Sequence, residues 1–167
     1  MSNKAPVLLS DVIKVFVRYP SPRILLGAVG TAFAARLYYY ELWSYWDIAI
    51  IAAILVTWPI REWLIHVYIL HFKPFTLRGF KIDPLIGQKH REHHKDPECV
   101  EKVFIPTHIY PLVLPLFLIW PLILPIPLAL TLIIFDLFMS LQYEWTHYFV
   151  HTKYQPKTKN WQRLKDN

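Results

Sequence analysis

Apolar and polar residues alternate in long blocks along this chain. The first apolar block covers residues 24–66, where the acidic and aromatic stretch ELWSYWD (residues 41–47) separates two apolar runs. Neither run reaches the ~20 apolar residues that an unambiguous membrane span requires. Together the two runs predict a short helical hairpin, with ELWSYWD as its turn and with Trp and Tyr side chains at the membrane interface.

The second apolar block, residues 107–151, is clearer. Residues 109–135 include no charged side chain, and one straight helix of this length would be about 40 Å long against a hydrocarbon core of roughly 30 Å. The sequence LPIPL (residues 124–128) places two prolines near the middle of the block, where they disfavour a continuous helix. The pattern predicts two helices, about 107–124 and 128–151, that form a second hairpin. A single tilted and kinked span is the alternative.

Residues 1–22 form an amphipathic N-terminal segment. Apolar residues recur at helical spacing between Val12 and Val17, and they predict a short surface helix that Pro20 and Pro22 end. The hydrophobic pattern as a whole therefore predicts a single all-α integral membrane domain that is built from two transmembrane helical hairpins.

Basic residues fall in three regions and give the chain a formal net charge of +6. Lys and Arg are absent from residues 37–60 and 103–152. Basic loops that alternate with cation-free apolar stretches follow the positive-inside rule. The N-terminus and the polar segments 67–105 and 152–167, which we call the cap, are therefore predicted on the cytosolic side of a bacterial inner membrane or the ER membrane. This distribution argues against nucleic-acid binding.

Seven of the eight histidines occur in three clusters, all just on the basic side of a predicted span. Histidines three or four residues apart lie on one face of a helix and can bind one metal ion or adjacent ions. Each cluster alone has an ordinary interpretation, as a polar group at the interface or as a solvated charged face, but their common depth predicts a metal site. The clusters are His66 and His71, then His90, His93 and His94, and finally His147 and His151.

The two histidines of the first cluster are five residues apart, so a regular helix would not direct them to the same site. On an ideal helix His66 and His71 would lie about 140° apart around the axis. They can share a site only if the helix ends, overwinds or bulges before His71, and the following Lys73-Pro74 favours an end.

Three carboxylates lie at helical spacing from these histidines. Glu62 precedes His66 by one turn, and Glu144 and Asp136 precede His147 on the same predicted helix. Such carboxylates can bind metal or orient imidazoles as hydrogen-bond acceptors. Asp136 lies within an apolar helix, where an ionisable group is costly and indicates a functional site. The alternative is that Asp136 is a neutral buried acid or pairs with a polar group such as Arg36.

The histidine boxes resemble those of the fatty acid hydroxylase superfamily, the membrane-bound dimetal oxygenases that include sterol desaturases and fatty-acyl and carotenoid hydroxylases. The matching motifs are His66-x4-His71, His90-x2-His93-His94 and His147-x3-His151, and the resemblance covers the chain from about Arg61 to its end.

The resemblance implies a helical membrane fold with a cytosolic cap and two irons held mainly by the seven histidines. It also implies O2-dependent hydroxylation or desaturation of a lipid such as a fatty acyl chain or a sterol. Electrons would come from a reductase, ferredoxin or cytochrome b5-type donor, and no side chain beyond the metal ligands need be catalytic.

One departure concerns a final H-x2-H-H box that the family carries after the third cluster. The tail KYQPKTKNWQRLKDN has no histidine after His151. The expectation is a truncated chain that binds metal weakly and is inactive alone. The other functional hypotheses are a non-catalytic membrane protein that binds a metal or haem, and a structural protein with incidental histidines.

Overall fold

The computed structural model describes residues 7–166; residues 1–6 of the predicted N-terminal segment and residue 167 of the predicted tail lie outside this range. The described chain is mostly helical. Its helices are α1 Leu9–Arg18, α2 Pro20–Leu37, α3 Tyr45–Leu64, α4 Leu85–Lys95, α5 Val100–Val103, α6 Tyr110–Val113, α7 Trp120–Ile123, α8 Ile126–Val150 and α9 Lys159–Asp166, with a π-helical turn at Ile65–Leu70 and 3₁₀ turns at Tyr40–Leu42, Thr107–Ile109 and Leu114–Ile119.

Three helical stretches of the described chain are long and apolar enough to cross a membrane: Tyr45–Leu70, Val100–Ile123 and Ile126–Val150. This fits the predicted integral membrane protein. Helix α2 is not among them, because its two arginines and the prolines and serine of its first turn lower its mean hydropathy. The expected count of two transmembrane hairpins therefore stays a prediction.

Helix α8 is the central element of the fold, since both α2 and α3 pack against it. One apolar cluster joins α2 to α8 and α6 through Leu25, Tyr110 and Leu137. A second joins α1 to the C-terminal half of α8 through Phe16 and Tyr148. The first cluster holds the middle of α8, and the second fixes its last turns, which carry the third histidine cluster.

The predicted N-terminal helix is present as α1. Tyr19 adopts an extended conformation, because a residue before a proline is driven out of the α region, and Pro20 then occupies the first turn of α2. The apolar face of α1 does not lie free on a surface. Val12 and Phe16 are buried, and the Phe16 ring packs edge-on to Trp145 of α8 at 5.0 Å.

The proline-rich stretch in the second apolar block separates two helical stretches, as its sequence predicts. Leu124 is extended (φ −114°, ψ 153°) before Pro125, and α8 begins at Ile126. The block is therefore not one continuous helix, and its crossing of the membrane as two spans stays a prediction. The chain before the break is divided into short α and 3₁₀ pieces, since its prolines cannot donate backbone hydrogen bonds.

The expectation of an all-α chain is wrong for a short part of the cap. Phe75–Leu77 (β1) and Phe80–Ile82 (β2) form a two-stranded antiparallel sheet, with Leu77 opposite Phe80. The turn between the strands has positive φ at both central residues, Arg78 and Gly79, as a type I′ turn requires. This hairpin connects the π-helical turn to α4.

A buried polar network joins three helices at the end of the bundle away from the histidines. The Arg36 guanidinium on α2 donates to the Asp47 carboxylate at the start of α3 and to the Thr131 hydroxyl on α8, both at 3.1 Å. Arg36 and Asp47 are 1% and 0% exposed. Arg36 therefore links α3 and α8, two of the helices that carry or continue into the histidine clusters.

Candidate metal centre

The first histidine cluster lies on the π-helical turn that continues α3. Within Ile65–Leu70 the hydrogen bonds run from residue i+5 to residue i, and the His71 N–H donates to the His66 carbonyl at 3.0 Å. This wider turn brings side chains five residues apart to the same side. The Nε2 atoms of His66 and His71 lie 3.0 Å apart, so a bulge brings the two side chains together. The helix also ends at Leu70, directly before His71, as Lys73-Pro74 indicated.

Helix α4 divides the second histidine cluster between two directions. His90 and His94 are one turn apart, and their Nε2 atoms lie 3.0 Å from each other. His93 lies on another side of α4, where its Nε2 atom is 3.2 Å from that of His147 and 3.1 Å from that of His151. The spacing of this motif predicted that its three histidines share one face of α4. The structure shows instead that His93 is directed away from His90 and His94.

The seven histidines form two adjacent groups. In each group the candidate ligand atoms all lie within 4.8 Å of one another. The groups meet at consecutive residues of α4, where the His93 and His94 rings are 5.6 Å apart. The first group, which we call the upper site, comprises His66, His71, His90 and His94, and the second, the lower site, comprises His93, His147 and His151.

Burial keeps several of these imidazoles neutral. It lowers the pKa of His90 to about 3, and the neighbouring His94 adds to the effect. Burial lowers the pKa of His93 to about 4, with a further contribution from His151. Burial also lowers the pKa of His151. A neutral imidazole offers the lone pair that a metal ion binds, so His90, His93 and His151 are in their ligating form at neutral pH.

The contacts between the ring nitrogens fit a metal centre better than a hydrogen-bond network. A neutral imidazole Nε2 atom either donates one hydrogen bond or accepts one, yet the His93 Nε2 atom faces two other Nε2 atoms at once. Its buried Nδ1 atom has no hydrogen-bond partner in the described part of the chain. Imidazole donors suit iron, zinc, copper and nickel, so the residues fit one transition-metal ion in each site.

The structure gives the three candidate carboxylates other surroundings. Glu144 accepts hydrogen bonds from the Ser21 hydroxyl and, at 2.9 Å, from the Ile105 N–H. Asp136 pairs with Arg61, not with Arg36 as proposed from the sequence. Glu62 faces the cavity described next. In residues 7–166 none of these carboxylates belongs to either site or hydrogen-bonds an imidazole.

A cavity of about 410 Å³ adjoins both sites, which is within the usual size of ligand pockets. It lies between α3, α8 and the segment 103–117, and His90 of the upper site and His147 of the lower site both contribute to its wall. Most of the other wall is apolar, with Ile65, Ile109 and Phe117 among its residues. An apolar molecule in this cavity would lie beside the histidines.

Sequence reasoning missed two residues of this wall. Tyr143 lies one turn before His147 on α8, and its ring stacks on the His147 ring at 5.7 Å. Its i−4 spacing was the signal that could have identified it. Arg61 was named only as the start of the family resemblance. His108, the eighth histidine, lies in a 3₁₀ turn and belongs to neither site, as its isolated position indicated.

A comparison with protein-family models finds one that matches residues 51–167, which include all seven histidines of the two sites. Its description is "Fatty acid hydroxylase". No curated protein and no solved structure matches the chain significantly.

Proposed function

The chain belongs to the fatty acid hydroxylase family, and from this premise we propose that it is a membrane-bound di-iron oxygenase that hydroxylates or desaturates a lipid. The observation that carries the proposal is the position of the apolar cavity, whose wall includes a histidine from each candidate metal site. A lipid chain in the cavity would place its C–H bonds next to both sites.

The proposed hydroxylation combines R–H, O2, two electrons and two protons to give R–OH and water. Iron at the two sites would supply the activation of O2, as metal cofactors do in such oxidations. The electrons would come from an external reductase, ferredoxin or cytochrome b5-type donor. In desaturation the same oxidant would remove two hydrogens from adjacent carbons, and O2 would leave as two waters.

The protein's own residues hold, orient and enclose the reactants. His66, His71, His90 and His94 would bind one iron and His93, His147 and His151 the other. The π-helical turn orients the first pair of ligands, and the packing of Phe16 on Trp145 and Tyr148 fixes the end of α8 that carries the last pair. The apolar wall of the cavity would exclude water from the oxidation.

We also propose two membrane hairpins, with the N-terminus and the cap on the cytosolic side. The distribution of Lys and Arg supports this orientation, because cations are absent from residues 37–60 and 103–152. Helix α2 would complete the first hairpin with α3, aided by the buried pairing of Arg36 with Asp47. An electron donor could then reach the histidine sites from the cytosol.

Isotope incorporation tests the proposed reaction. We expect membranes that contain the protein, iron and an electron-donor system to incorporate one ¹⁸O atom from ¹⁸O2 into a membrane lipid, or to give a lipid two mass units lighter. Mass spectrometry of the extracted lipids measures both. Membranes with the His93→Ala and His94→Ala double variant provide the control.

Absence of both products from an iron-loaded wild-type protein would contradict the proposed function for this chain and would favour the alternative expectation from the sequence, a truncated chain that is inactive alone. A visible haem absorption band in the purified protein would instead favour the non-catalytic haem-binding hypothesis. Iron without either product would favour the non-catalytic metal-binding hypothesis.

A further inference from the structure

One wall of the cavity carries a polar stripe that the oxidation of a plain hydrocarbon chain does not require. Asp136, Ser140, Tyr143 and His147 all line the cavity, at successive spacings of four, three and four residues along α8. Residues at this spacing lie on one face of a helix. At 1.5 Å per residue the stripe extends about 16 Å from the level of the lower site into the middle of the span.

The far end of the stripe is an ion pair between α3 and α8. The Arg61 Nη1 and Nη2 atoms donate to the two carboxylate oxygens of Asp136, at 2.5 and 3.2 Å. Asp136 is 7% exposed, whereas the Arg61 side chain is 42% exposed and also lines the cavity. A guanidinium has five N–H donors, so the pair leaves Arg61 with donors for a further partner.

Polar groups in this position are costly unless something binds them. Ionisable residues within a membrane span usually face a water-filled space or mark a substrate pathway. Tyr143 lines the same cavity, and within residues 7–166 its hydroxyl has no hydrogen-bond partner. A saturated hydrocarbon that filled the cavity would displace water from these groups and offer no hydrogen bond in exchange.

We infer that the Arg61–Asp136 pair, together with Tyr143, binds a neutral oxygen group on the lipid substrate, a hydroxyl or a carbonyl, remote from the carbon that is oxidised. The inference rests on the proposed function for the oxidation itself. The group is neutral because Asp136 already balances the charge of Arg61, and Glu62 on the same wall would repel an anion. The two lysines that also line the cavity have carboxylate partners of their own, since Lys89 pairs with Glu92 and Lys102 with Asp96. The pair would then determine which lipids bind and how deeply they enter.

Competition binding with matched probes tests this specificity. The full chain, purified in detergent, binds tritiated hexadecan-1-ol, and unlabelled hexadecan-1-ol, hexadecane or palmitate competes for the site. Because a hydrogen bond to a charged group contributes on the order of one tenfold step in affinity, we expect hexadecan-1-ol to compete about tenfold better than hexadecane. We expect palmitate to compete no better than hexadecane.

Two charge variants separate a binding role from a structural one. In Asp136→Asn the Arg61 cation loses its counter-charge, so we expect palmitate to compete about tenfold better than it does with the wild type. In Arg61→Gln we expect palmitate to stay weak and hexadecan-1-ol to lose its advantage over hexadecane. A pair that only held α3 to α8 would change stability in both variants without changing the ranking of the probes.

The matched control is Asp11→Asn, which removes the charge from an exposed pair with Lys14 outside the cavity. It should leave the ranking unchanged. Equal competition by hexadecan-1-ol and hexadecane with the wild type would overturn the inference. The inference would also be overturned if the folded Asp136→Asn variant ranked the three competitors as the wild type does. If Asp136→Asn does not fold, the same result with Arg61→Gln would overturn it.

The outcome is separable from that of the ¹⁸O experiment. A protein that oxidises lipids without preferring the alcohol probe would refute the inferred binding of an oxygen group by Arg61 and Asp136, and it would leave the proposed function intact. A protein that prefers the alcohol without oxidising any lipid would support the binding role of Arg61 and Asp136 and refute the proposed function.

Discussion

Replacing His93 with alanine is expected to empty the lower site of metal. His93 contacts both other histidines of the lower site, because its Nε2 atom lies 3.1 Å from that of His151 and 3.2 Å from that of His147. Without it two histidines of one helix remain. Loss of groups that merely orient a ligand already weakens metal binding 10- to 100-fold, so we expect loss of a direct ligand to cost at least about 100-fold.

The division of the second motif makes the expected result site-specific. His93→Ala should remove the ion of the lower site, whereas His94→Ala should remove that of the upper site, which His94 shares with His90. Elemental analysis after gel filtration measures the iron that each variant retains. His108→Ala is the matched control, since His108 belongs to neither site, and it should retain as much iron as the wild type. Full iron content in both His93→Ala and His94→Ala would show that these histidines are not ligands.

Replacing Asp47 with alanine is expected to lower the free energy of unfolding by about 3–5 kcal/mol. Removal of one partner of a buried ion pair leaves an uncompensated charge, and this typically costs that amount. Here the remaining charge would be that of Arg36, which is only 1% exposed and lies between three helices. Denaturant titration of the purified protein in detergent measures the change.

Two controls identify the ion pair as the cause. Asp11→Ala removes the acidic partner of an exposed pair with Lys14 and should cost no more than about 1 kcal/mol. The double variant Arg36→Met and Asp47→Leu removes both charges and should recover much of the lost stability. If Asp47→Ala is no less stable than Asp11→Ala, the buried network does not hold the helices together.

The helix break in the second apolar block could be predicted because its cause is local. Leu124 precedes a proline, and this alone drives it out of the helical region. The same reasoning predicted the end of α1 before Pro20. The hairpin of β1 and β2 was missed, because strands of three residues give too short a pattern to be recognised among the polar residues of the cap.

The candidate metal centre could be predicted in its composition but not in its grouping. Spacing identified all seven histidines of the two groups. It also showed that the helix must end, overwind or bulge between His66 and His71 if they share a site. It favoured an end of the helix before Lys73-Pro74 and did not identify the bulge, because a π-helical turn depends on what packs around it. It also could not show that His93 and His94 serve different sites, since this depends on where α3 and α8 lie relative to α4.

The arginine–carboxylate pairs illustrate the same limit. The sequence indicated that Asp136 needs a partner within the apolar helix, which is a local argument from desolvation. It named Arg36, whereas the structure pairs Asp136 with Arg61 and Arg36 with Asp47. Both arginines are near an end of an apolar run, so only the packing of α2 and α3 on α8 decides between them.

Iron X-ray absorption, combined with elemental analysis, tests the central claim most directly. The wild-type protein would be loaded anaerobically with Fe(II) and freed of excess metal. We expect one iron in each site and an absorption spectrum of iron bound mainly by imidazole nitrogens, with both signals reduced in the His93→Ala and His94→Ala double variant. A wild-type protein that retains no iron, or whose iron is unaffected by the double replacement, would contradict the assignment of the seven histidines as the metal centre.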